Sequence, residues 1–292
     1  MSDWFRVCPI EERLYQITDV AGTHFFLLLG EREAMLLDTG VGCGDLRKLV
    51  RELTPLPVKV LVTHGHVDHA MGAGQFEDAW MSPEDEAIYQ AHSAVEERLG
   101  YIHGSMNAGG LPRAVSVTEA DLQPARPFGG FHPLAVGDRF DLGGVTVKVC
   151  RGRGHTPGCV TALIPELRTL LLGDACNHFT YLFDEGCSTV EEYLDMLCAL
   201  KAETDGCYDR VLVCHGPLAE GAPDMIDRVM DVCRDILRGD TDDMPFRGFH
   251  GEPVCIAKAM DFTTFTRVDG GTGNVVYNPN RIREEQEQQH GK

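Results

Sequence analysis

Six consecutive residues, His64-Gly65-His66-Val67-Asp68-His69, bring three imidazoles and one carboxylate into a short segment. The segment follows the mostly apolar run 58–62, which has the composition of a buried strand. A strand that ends in a tight loop delivers all four side chains to one edge of a sheet, and Gly65 permits a tight backbone there. Imidazole and carboxylate groups are common protein ligands for zinc, iron and manganese. The spacing therefore predicts a metal site where this strand ends.

Three further segments repeat the pattern of a β run that ends close to a ligand-type residue. They are 147–153 before His155, 170–172 before Asp174, and 211–214 before His215. Glycine or proline stands close to each of these residues, so the strand stops and the side chain can leave the sheet. With the first segment they supply five histidines and two aspartates at strand ends, which is enough for two metal ions.

The elements that must position these residues are strands interspersed with helices. The predicted strands are 24–29, 34–38, 58–63, 145–151, 160–164, 170–172 and 211–214, with a hairpin turn at 30–33. Three predicted helices are 45–53, 83–99 and 223–238, the last of which ends at Gly239. A fourth begins at the capping box Thr189-x-x-Glu192.

Chain length sets the domain prediction. Single cores stop growing at about 250–300 residues, so the 292 residues predict one domain over 1–280. The segment 100–131 is richer in glycine, proline and isolated polar residues, which indicates an irregular insertion, either a lid over the site or an interface element. The charged, glutamine-rich segment 281–292 is expected to be a disordered tail.

Charge and composition limit the classes of molecule that the protein is expected to bind. The net charge of −19 disfavours nucleic acid and acidic membranes, so a small-molecule substrate is expected. Neither a run of about 18 apolar residues nor a secretory signal is evident, which predicts a cytoplasmic protein. The 11 cysteines lack CxxC pairs and are expected to be mostly buried, reduced residues.

The order of the ligand-type segments resembles the metallo-β-lactamase superfamily. The matching motifs are Asp38, T-H-G-H-V-D-H at 63–69, H-T-P-G at 155–158, G-D at 173–174 and H-G-P at 215–217. The resemblance implies a four-layer αββα sandwich, an α/β fold in which two mixed β-sheets face each other and helices flank them. It also implies a dinuclear metal site along one edge of the sandwich.

The resemblance further implies a role for each candidate residue. The ligands implied for the first metal are His64, His66 and His155. Those implied for the second are Asp68, His69 and His215, with Asp174 as the bridge. Asp38 is implied to orient ligand groups, and Asp38 and Asp68 are the candidate catalytic residues.

The implied chemistry is hydrolysis by a hydroxide that bridges two divalent metals. Zinc is favoured, and iron and manganese stay open as alternatives. An acid at 174 and the lack of an export signal make the chain resemble the glyoxalase II and lactonase branch more than a secreted β-lactamase. The favoured substrate is a small ester, thioester or lactone. The alternatives are a phosphodiesterase or nuclease of the same fold, and a non-haem iron dioxygenase or a metal-binding protein without catalytic activity.

Two residues that follow Asp174 in the sequence, His178 and Tyr181, are candidates for substrate contact. His178 and Tyr181 follow a metal ligand closely in sequence, although core packing is an equal alternative for the aromatic ring. Cys176 and Cys214 also lie beside ligands. Alternation along a strand predicts that Cys214 faces away from the metals, into a sheet–helix layer, and we expect both cysteines to be structural.

Overall fold

The first β-sheet forms from the amino-terminal part of the chain. The computed structural model describes residues 4–105, 114, 116–248 and 251–284. The strands of this sheet, in spatial order, are β1 (Arg6–Glu11), β2 (Leu14–Thr18), β3 (His24–Leu29), β4 (Ala34–Leu37), β5 (Val58–Leu61), β6 (Asp78–Met81) and β7 (His132–Pro133). Pairing is antiparallel from β1 to β4 and parallel from β4 to β7. The hairpin predicted between β3 and β4 is confirmed.

The second large sheet is also mixed. Its strands are β8 (Arg139–Asp141), β9 (Thr146–Arg151), β10 (Val160–Ile164), β11 (Thr169–Leu171), β13 (Arg210–Leu212) and β14 (Glu220–Gly221). Their spatial order is β14-β13-β11-β10-β9-β8, and only β11 and β13 pair in parallel.

Local sequence signals explain where three of the described helices begin or end. The helices are α1 (Leu46–Leu53), α2 (Val67–Ala70), α3 (Glu86–His92), α4 (Val95–Gly104), α5 (Val190–Thr204) and α6 (Met225–Arg238). Asp45 caps α1 by accepting a hydrogen bond from the backbone N–H of Lys48. The capping box of Thr189 and Glu192 opens α5, and Gly239 ends α6 with a left-handed backbone, both as predicted.

Alternation of side chains along the strands produces four layers. Phe26 and Leu28 of β3 face the second sheet, where they pack with Val147 and Val149 of β9. Phe25 and Leu27, their neighbours on β3, pack on the other face against α1 and α2. The outer face of the second sheet is covered by α5 and α6. The predicted αββα sandwich is therefore confirmed.

Two smaller sheets, separate from the two large ones, were not predicted. The first consists of β12 (Thr180–Leu182), β19 (Val275–Tyr277), β16 (Pro253–Ile256) and β15 (Met244–Arg247), in that order. The second is a hairpin of β17 (Met260–Asp261) and β18 (Thr266–Arg267). Because β12 follows Asp174 closely in sequence, the larger of these sheets lies next to the predicted site.

The single helix predicted over 83–99 is wrong. The chain forms a short 3-10 turn at Pro83–Asp85, then α3, and α4 restarts after Ala94, whose backbone is extended. Tertiary contacts account for the break. From α4 the buried Arg98 donates hydrogen bonds to the carbonyls of Val41 and Gly42, and Tyr101 reaches Asp68.

Parts of the predicted insertion and tail lie outside the described residues, namely 106–113, 115 and 285–292. Within the insertion, Leu122 pairs with Cys43, and Arg126 donates hydrogen bonds to the carbonyls of Phe76 and Glu77. At the start of the tail, Arg281 donates to the carbonyls of Asp184 and Cys187. In the described part of the chain, helices fall short of the length and apolar character needed to cross a membrane.

Candidate metal centre

The predicted ligands converge at one edge of the sandwich because they follow strands that end there. His64 comes shortly after β5, Asp174 shortly after β11, and His215 shortly after β13. His155 lies in the connection between β9 and β10. The structure thus brings together all seven residues that the sequence analysis proposed as ligands, in overlapping groups whose ligand atoms lie within 4.8 Å of one another.

The first group consists of three imidazoles. Nδ1 of His66 lies 3.1 Å from Nε2 of His64 and 2.9 Å from Nε2 of His155. Of the three rings, those of His64 and His155 are buried, whereas His66 is half-buried and stacks on His92. Three ring nitrogens therefore face a common point.

The second group combines imidazole and carboxylate. Oδ2 of Asp68 lies 3.3 Å from Nε2 of His69 and 3.2 Å from Nε2 of His215. Oδ2 of Asp174 lies 3.5 Å from Nε2 of His69 and 3.1 Å from that of His215. The same oxygen is 3.8 Å from Nε2 of His155 in the first group. Asp174 is therefore the residue shared between the two groups.

Neighbouring acceptors determine which imidazole nitrogens face the centre. Nδ1 of His155 donates to the carbonyl of Tyr181 at 2.9 Å, and Nδ1 of His69 donates to Oδ2 of Asp38 at 2.8 Å. Thr63 donates its hydroxyl proton to Asp38, so its oxygen accepts from Nδ1 of His64 at 3.1 Å. Each of these rings, when neutral, thus directs the lone pair of Nε2 into the site, which is the tautomer that a metal ligand requires.

The donor set fits a divalent metal ion. A tetrahedral ion with ligands at about 2.0–2.2 Å separates its ligand atoms by about 3.3–3.6 Å. The oxygen–nitrogen distances in the second group, 3.1–3.5 Å, are close to these values. In addition, Nε2 of His69 is buried and forms no hydrogen bond with any described residue. A buried polar atom of this kind needs a partner, and a metal ion at this position would provide one.

Electrostatics differ between the two groups. Burial disfavours the ionised carboxylates, but the imidazoles of His69 and His215 outweigh burial and hold the pKa values of Asp68 and Asp174 well below the usual range. Burial likewise disfavours the imidazolium of His215, but Asp174 and Asp68 raise its pKa to about 10. In the first group, burial lowers the pKa of His64 well below its usual value. Without metal, the second group therefore holds protons that a bound cation must displace.

Asp38 occupies a strained position directly after β4. Its φ is +69°, a left-handed value that few residues other than glycine adopt. The buried carboxylate accepts hydrogen bonds from the backbone N–H of Thr63 at 2.6 Å, from the Thr63 hydroxyl and from His69. This geometry suits the orienting role implied for Asp38.

Asp85 is a buried residue that the sequence analysis assigned only to a helix start. It accepts hydrogen bonds from the N–H of Gly65 at 2.8 Å, the hydroxyl of Thr156 at 2.8 Å and the N–H of Gly158 at 2.6 Å. It therefore joins the loop that carries His64 and His66 to the loop that carries His155. No signal in the sequence points to this role, because an acid after Ser82-Pro83 fits a helix start equally well.

The same contacts explain two of the glycines. A Cβ on Gly65 would lie 3.0 Å from the Asp85 carbonyl oxygen, and one on Gly158 would lie 2.8 Å from the Asp85 carboxylate. Gly65 does not have a left-handed backbone. Close approach to Asp85, in place of the tight turn expected from the sequence, is what requires glycine at position 65.

Further contacts that the sequence did not reveal act on the second group. Oδ2 of Asp68 accepts hydrogen bonds from the hydroxyls of Tyr101 at 2.7 Å and Thr23 at 3.0 Å. Burial and the adjacent Asp68 carboxylate raise the pKa of Tyr101 well above its usual value, so the phenol stays a donor. Nε2 of His24 lies 3.0 Å from the carbonyl of Gly216 and donates to it, which anchors the loop that follows His215.

The remaining candidate residues lie near the predicted ligands. His178 is half-buried and lies beside Gly216, and Tyr181 contacts His155 through its backbone carbonyl. The expected position of Cys214 is wrong, because β13 ends at Leu212 and alternation does not extend to residue 214. The thiol lies in the core between the two sheets and donates to Oδ2 of Asp38 at 3.9 Å.

Comparison with known proteins identifies the family. A model described as the metallo-β-lactamase superfamily matches residues 18–190, more than half of the 292 residues. The chain belongs to the metallo-β-lactamase superfamily. The matched segment includes six of the seven candidate ligands and ends before His215. Family membership and the ligand groups together support a metal-dependent hydrolase.

Sequence relatives within the superfamily are distant. An uncharacterized protein of Mycobacterium leprae is 31% identical over 170 residues, which cover 55% of this chain and 66% of that protein. The probable metallo-hydrolase YqgX of Bacillus subtilis is 22% identical over 149 residues, which cover 51% of this chain and 64% of that protein. The chain thus spans less than two thirds of the length of either relative.

Solved structures show the same fold. A metallo-β-lactamase from Pontibacter korlensis aligns with a TM-score of 0.56 and 18% identity, over 79% of this chain and 99% of that one. The sec-alkylsulfatase Pisa1 from Pseudomonas aligns with a TM-score of 0.59 and 14% identity, over 80% of this chain and 42% of that one. At these identities the likeness concerns the fold alone.

Proposed function

We propose that this protein is a dinuclear, metal-dependent hydrolase of a small ester, thioester or lactone. The observation that carries the proposal is the convergence of seven candidate ligands in two groups connected by Asp174. Outer acceptors direct Nε2 of His64, His69 and His155 inward. All three ligands of the first group are imidazoles, a donor set that suits zinc. We therefore propose zinc as the metal, with iron and manganese as the alternatives.

When bound, two divalent ions would activate a water molecule as the nucleophile and polarise the carbonyl of the substrate. The protein's own residues hold the geometry for this chemistry. Tyr101 and Thr23 donate to Asp68, so its carboxylate is fixed beside both imidazoles of the second group. Asp38 fixes His69 from the opposite side of the ring. Preorganisation of this kind limits the reorganisation needed during the reaction.

The position of Asp174 supports the glyoxalase II and lactonase branch. Its carboxylate lies between the two groups, as a bridging ligand must. The ligand at position 66 is histidine and not the glutamate that is typical of the oxygen-reducing branch, which favours hydrolysis over oxygen chemistry. His178 and Tyr181 remain proposals as substrate contacts, with a small molecule as the expected partner.

The proposal extends to the organisation of the chain. We propose one domain over 1–280, in which the insertion contributes a lid, because Tyr101 reaches Asp68 from α4 at the start of that segment. We also propose a cytoplasmic location, because the cysteines are thiols and the cytosol keeps thiols reduced.

A substrate panel combined with metal analysis tests this function. Purified protein is analysed for zinc, iron and manganese, then assayed on an ester, a thioester, a lactone and bis(p-nitrophenyl) phosphate. We expect two metal equivalents per chain, hydrolysis of at least one carbonyl substrate, loss of activity on chelation and recovery on adding zinc. His155→Ala should remove metal and activity, whereas His132→Ala, at an exposed histidine outside the ligand groups, should change neither.

Two outcomes would overturn the proposal. Hydrolysis of the phosphodiester without any carbonyl substrate would identify a phosphodiesterase. A single iron per chain, accompanied by oxygen consumption, would identify a dioxygenase.

A further inference from the structure

Five aromatic side chains form a continuous row of ring contacts, which we name the aromatic track. Its members, in order, are Tyr181, Phe179, Phe246, Phe262 and Phe265. Successive ring centroids are 5.5, 6.1, 6.4 and 5.9 Å apart. These separations lie within the range of favourable aromatic pairs.

The inner end of the track is attached to the metal centre. The carbonyl of Tyr181 accepts the hydrogen bond from Nδ1 of His155 at 2.9 Å. The backbone N–H of Phe179 donates to the side-chain oxygen of Asn177, whose amide nitrogen donates to Asp174. These hydrogen bonds join the backbone of Tyr181 and Phe179 to two predicted ligands. The side chain of Tyr181 also lies near the site, since burial and the charges of Asp174 and Asp68 raise the pKa of its phenol to about 12.

The outer end of the track is open to solvent. Phe262 and Phe265 lie between the two strands of the β17–β18 hairpin and are 41% and 61% exposed. Phe265 has a φ of +55°, which is a rare conformation for a bulky residue. Solvent exposure of two rings and backbone strain at one of them both oppose stability, which points to a functional reason for the arrangement.

The outer part of the track lies outside the two large sheets of the sandwich. Phe246, Phe262 and Phe265 all follow α6 in the sequence. These three rings are carried by β15 and the β17–β18 hairpin, which the sandwich itself does not require. These elements therefore extend the row of rings that begins at Tyr181.

We propose that the aromatic track binds the apolar acyl group, aryl or alkyl, of the substrate whose carbonyl is hydrolysed at the metal centre. The inference rests on the proposed hydrolase function and specifies its substrate class. Continuity with the metal centre favours a substrate group over other occupants of an apolar surface. Ligand sites are commonly lined by aromatic side chains with a few polar groups at the reacting end, which matches this arrangement.

Phe265→Asn is the informative variant. Asparagine adopts a left-handed backbone more readily than phenylalanine, so the substitution removes the ring without straining the hairpin. Val268→Asn is the matched control, because Val268 is 70% exposed close to the same hairpin but is not one of the five rings. Phe246→Leu is a second variant, in the middle of the track.

The first measurement is kcat/KM on uncharged N-acetylcysteamine thioesters with acetyl, octanoyl, dodecanoyl and hexadecanoyl groups. We expect the wild type to prefer the longer chains over acetyl. Phe246→Leu should reduce the preference for dodecanoyl, and Phe265→Asn the preference for hexadecanoyl, the chain long enough to reach the outer rings. Each change should be about 10-fold and mainly in KM, since one apolar contact discriminates by about that factor. Val268→Asn should keep the wild-type preference.

The second measurement does not depend on hydrolysis. Calorimetric titration with 4-phenyl-2-butanone, beside 2-butanone, measures binding of the apolar group in the wild type and in each variant. We expect a Kd for the phenyl ketone about 10-fold weaker in Phe265→Asn and unchanged in Val268→Asn.

The outcomes separate this inference from the hydrolase proposal. If no ester, thioester or lactone is hydrolysed but the phenyl ketone binds and depends on Phe265, the track binds apolar groups and the hydrolase proposal is wrong. If thioesters are hydrolysed without chain-length preference and ketone binding ignores Phe265, the inference is overturned and the hydrolase stands. Sedimentation that shows a dimer lost in Phe265→Asn, with substrate preference unchanged, would assign the rings to an interface between copies and would also overturn it.

Discussion

Two buried carboxylates, Asp38 and Asp85, support the metal centre in different ways. Asp38 contacts a predicted ligand directly, through Nδ1 of His69, and also accepts hydrogen bonds from the N–H and hydroxyl of Thr63. Asp85 accepts its hydrogen bonds from Gly65, Thr156 and Gly158, which are neighbours of ligands and not ligands themselves. The first carboxylate therefore orients an imidazole, whereas the second joins two loops.

Because Asp38 and Asp85 have different partners, substitution of Asp38 should mainly affect metal affinity and substitution of Asp85 should mainly affect stability. Loss of an orienting contact weakens the ligand while most of the fold persists. Loss of a buried acceptor that joins two loops leaves several donors without partners, and that destabilises the fold as a whole. Substitutions at the two positions should therefore have different signatures.

The largest effect is expected at Asp85. Asp85→Ala leaves the N–H groups of Gly65 and Gly158 and the Thr156 hydroxyl without their acceptor, which should reduce the free energy of unfolding by about 3–5 kcal/mol. Urea unfolding measures it. Glu84→Ala, at the neighbouring exposed acid, is the control and should cost about 1 kcal/mol or less. Equal stability of the two variants would contradict the role assigned to Asp85.

Substitution of Asp38 should mainly weaken the affinity for metal. Asp38→Asn keeps the shape of the side chain but removes the charge that favours the Nδ1–H tautomer of His69. We expect metal affinity about 10–100-fold weaker, from competition with a chelator of known affinity. The unfolding free energy should fall less than in Asp85→Ala. A stable Asp38→Asn protein with wild-type metal affinity would remove the distinction between the two carboxylates.

Asp19 tests how a third buried carboxylate titrates. Burial raises its pKa to about 7, although the N–H groups of Val41, Thr23 and Ala21 favour the ionised form. Between pH 3.8 and about 7 the unfolded chain ionises Asp19 while the folded protein keeps the proton, so the stability contributed by this residue falls as pH rises.

The stability difference between wild type and Asp19→Asn isolates this contribution. Measured by urea unfolding, the difference should be larger at pH 5 than at pH 8, by about 2–3 kcal/mol, because the folded-state pKa lies about two units above pH 5 and each unit corresponds to about 1.4 kcal/mol. A difference that stays the same from pH 5 to pH 8 would show that the three N–H groups offset burial and keep the pKa of Asp19 at or below its usual value.

Tyr101 tests how much a single hydrogen bond to a predicted ligand, Asp68, contributes to activity. Tyr101→Phe removes one donor to Oδ2 of Asp68 and leaves the Thr23 hydroxyl in place. We expect kcat to fall by about 3–10-fold, the size of one hydrogen bond to a charged group that keeps a second donor. Metal content should stay at the wild-type value. A loss of one metal equivalent in this variant would mean that Tyr101 is needed to form the second group.

The smallest effect is expected at Cys214. Its thiol contacts Asp38 at 3.9 Å, but the hydroxyl of Thr63 and Nδ1 of His69 already donate to that carboxylate at 2.8 Å. Cys214→Ala should therefore keep metal content and cost about 1 kcal/mol of stability, which elemental analysis and urea unfolding measure. Loss of one metal equivalent with an intact fold would make Cys214 a ligand.

The sequence predicted the ligands because they lie close together or follow apolar strands. His64 to His69 form one segment, and His155, Asp174 and His215 each follow a β run near glycine or proline. The four layers followed from the resemblance that these motifs carry. Asp38 also belonged to a motif, so its place could be predicted.

The sequence could not predict contacts that depend on distant pairing. Asp85 is 20 residues from Gly65 and 73 from Gly158, and its local context fits an ordinary helix start. The smaller sheets consist of strands of two to four residues, and one of them pairs β12 with the far end of the chain. Such short strands carry little periodicity, so only the folded structure reveals the aromatic track.

Anomalous diffraction from crystals of the native protein, recorded at the absorption edge of the metal found by elemental analysis, tests the central claim most directly. The account predicts two peaks about 3.5–4 Å apart, the spacing of hydrolytic two-metal sites. One peak should lie among His64, His66 and His155, and the other among Asp68, His69 and His215, with Asp174 between them. A single peak in metal-saturated crystals, or peaks away from these residues, would contradict the two-metal centre.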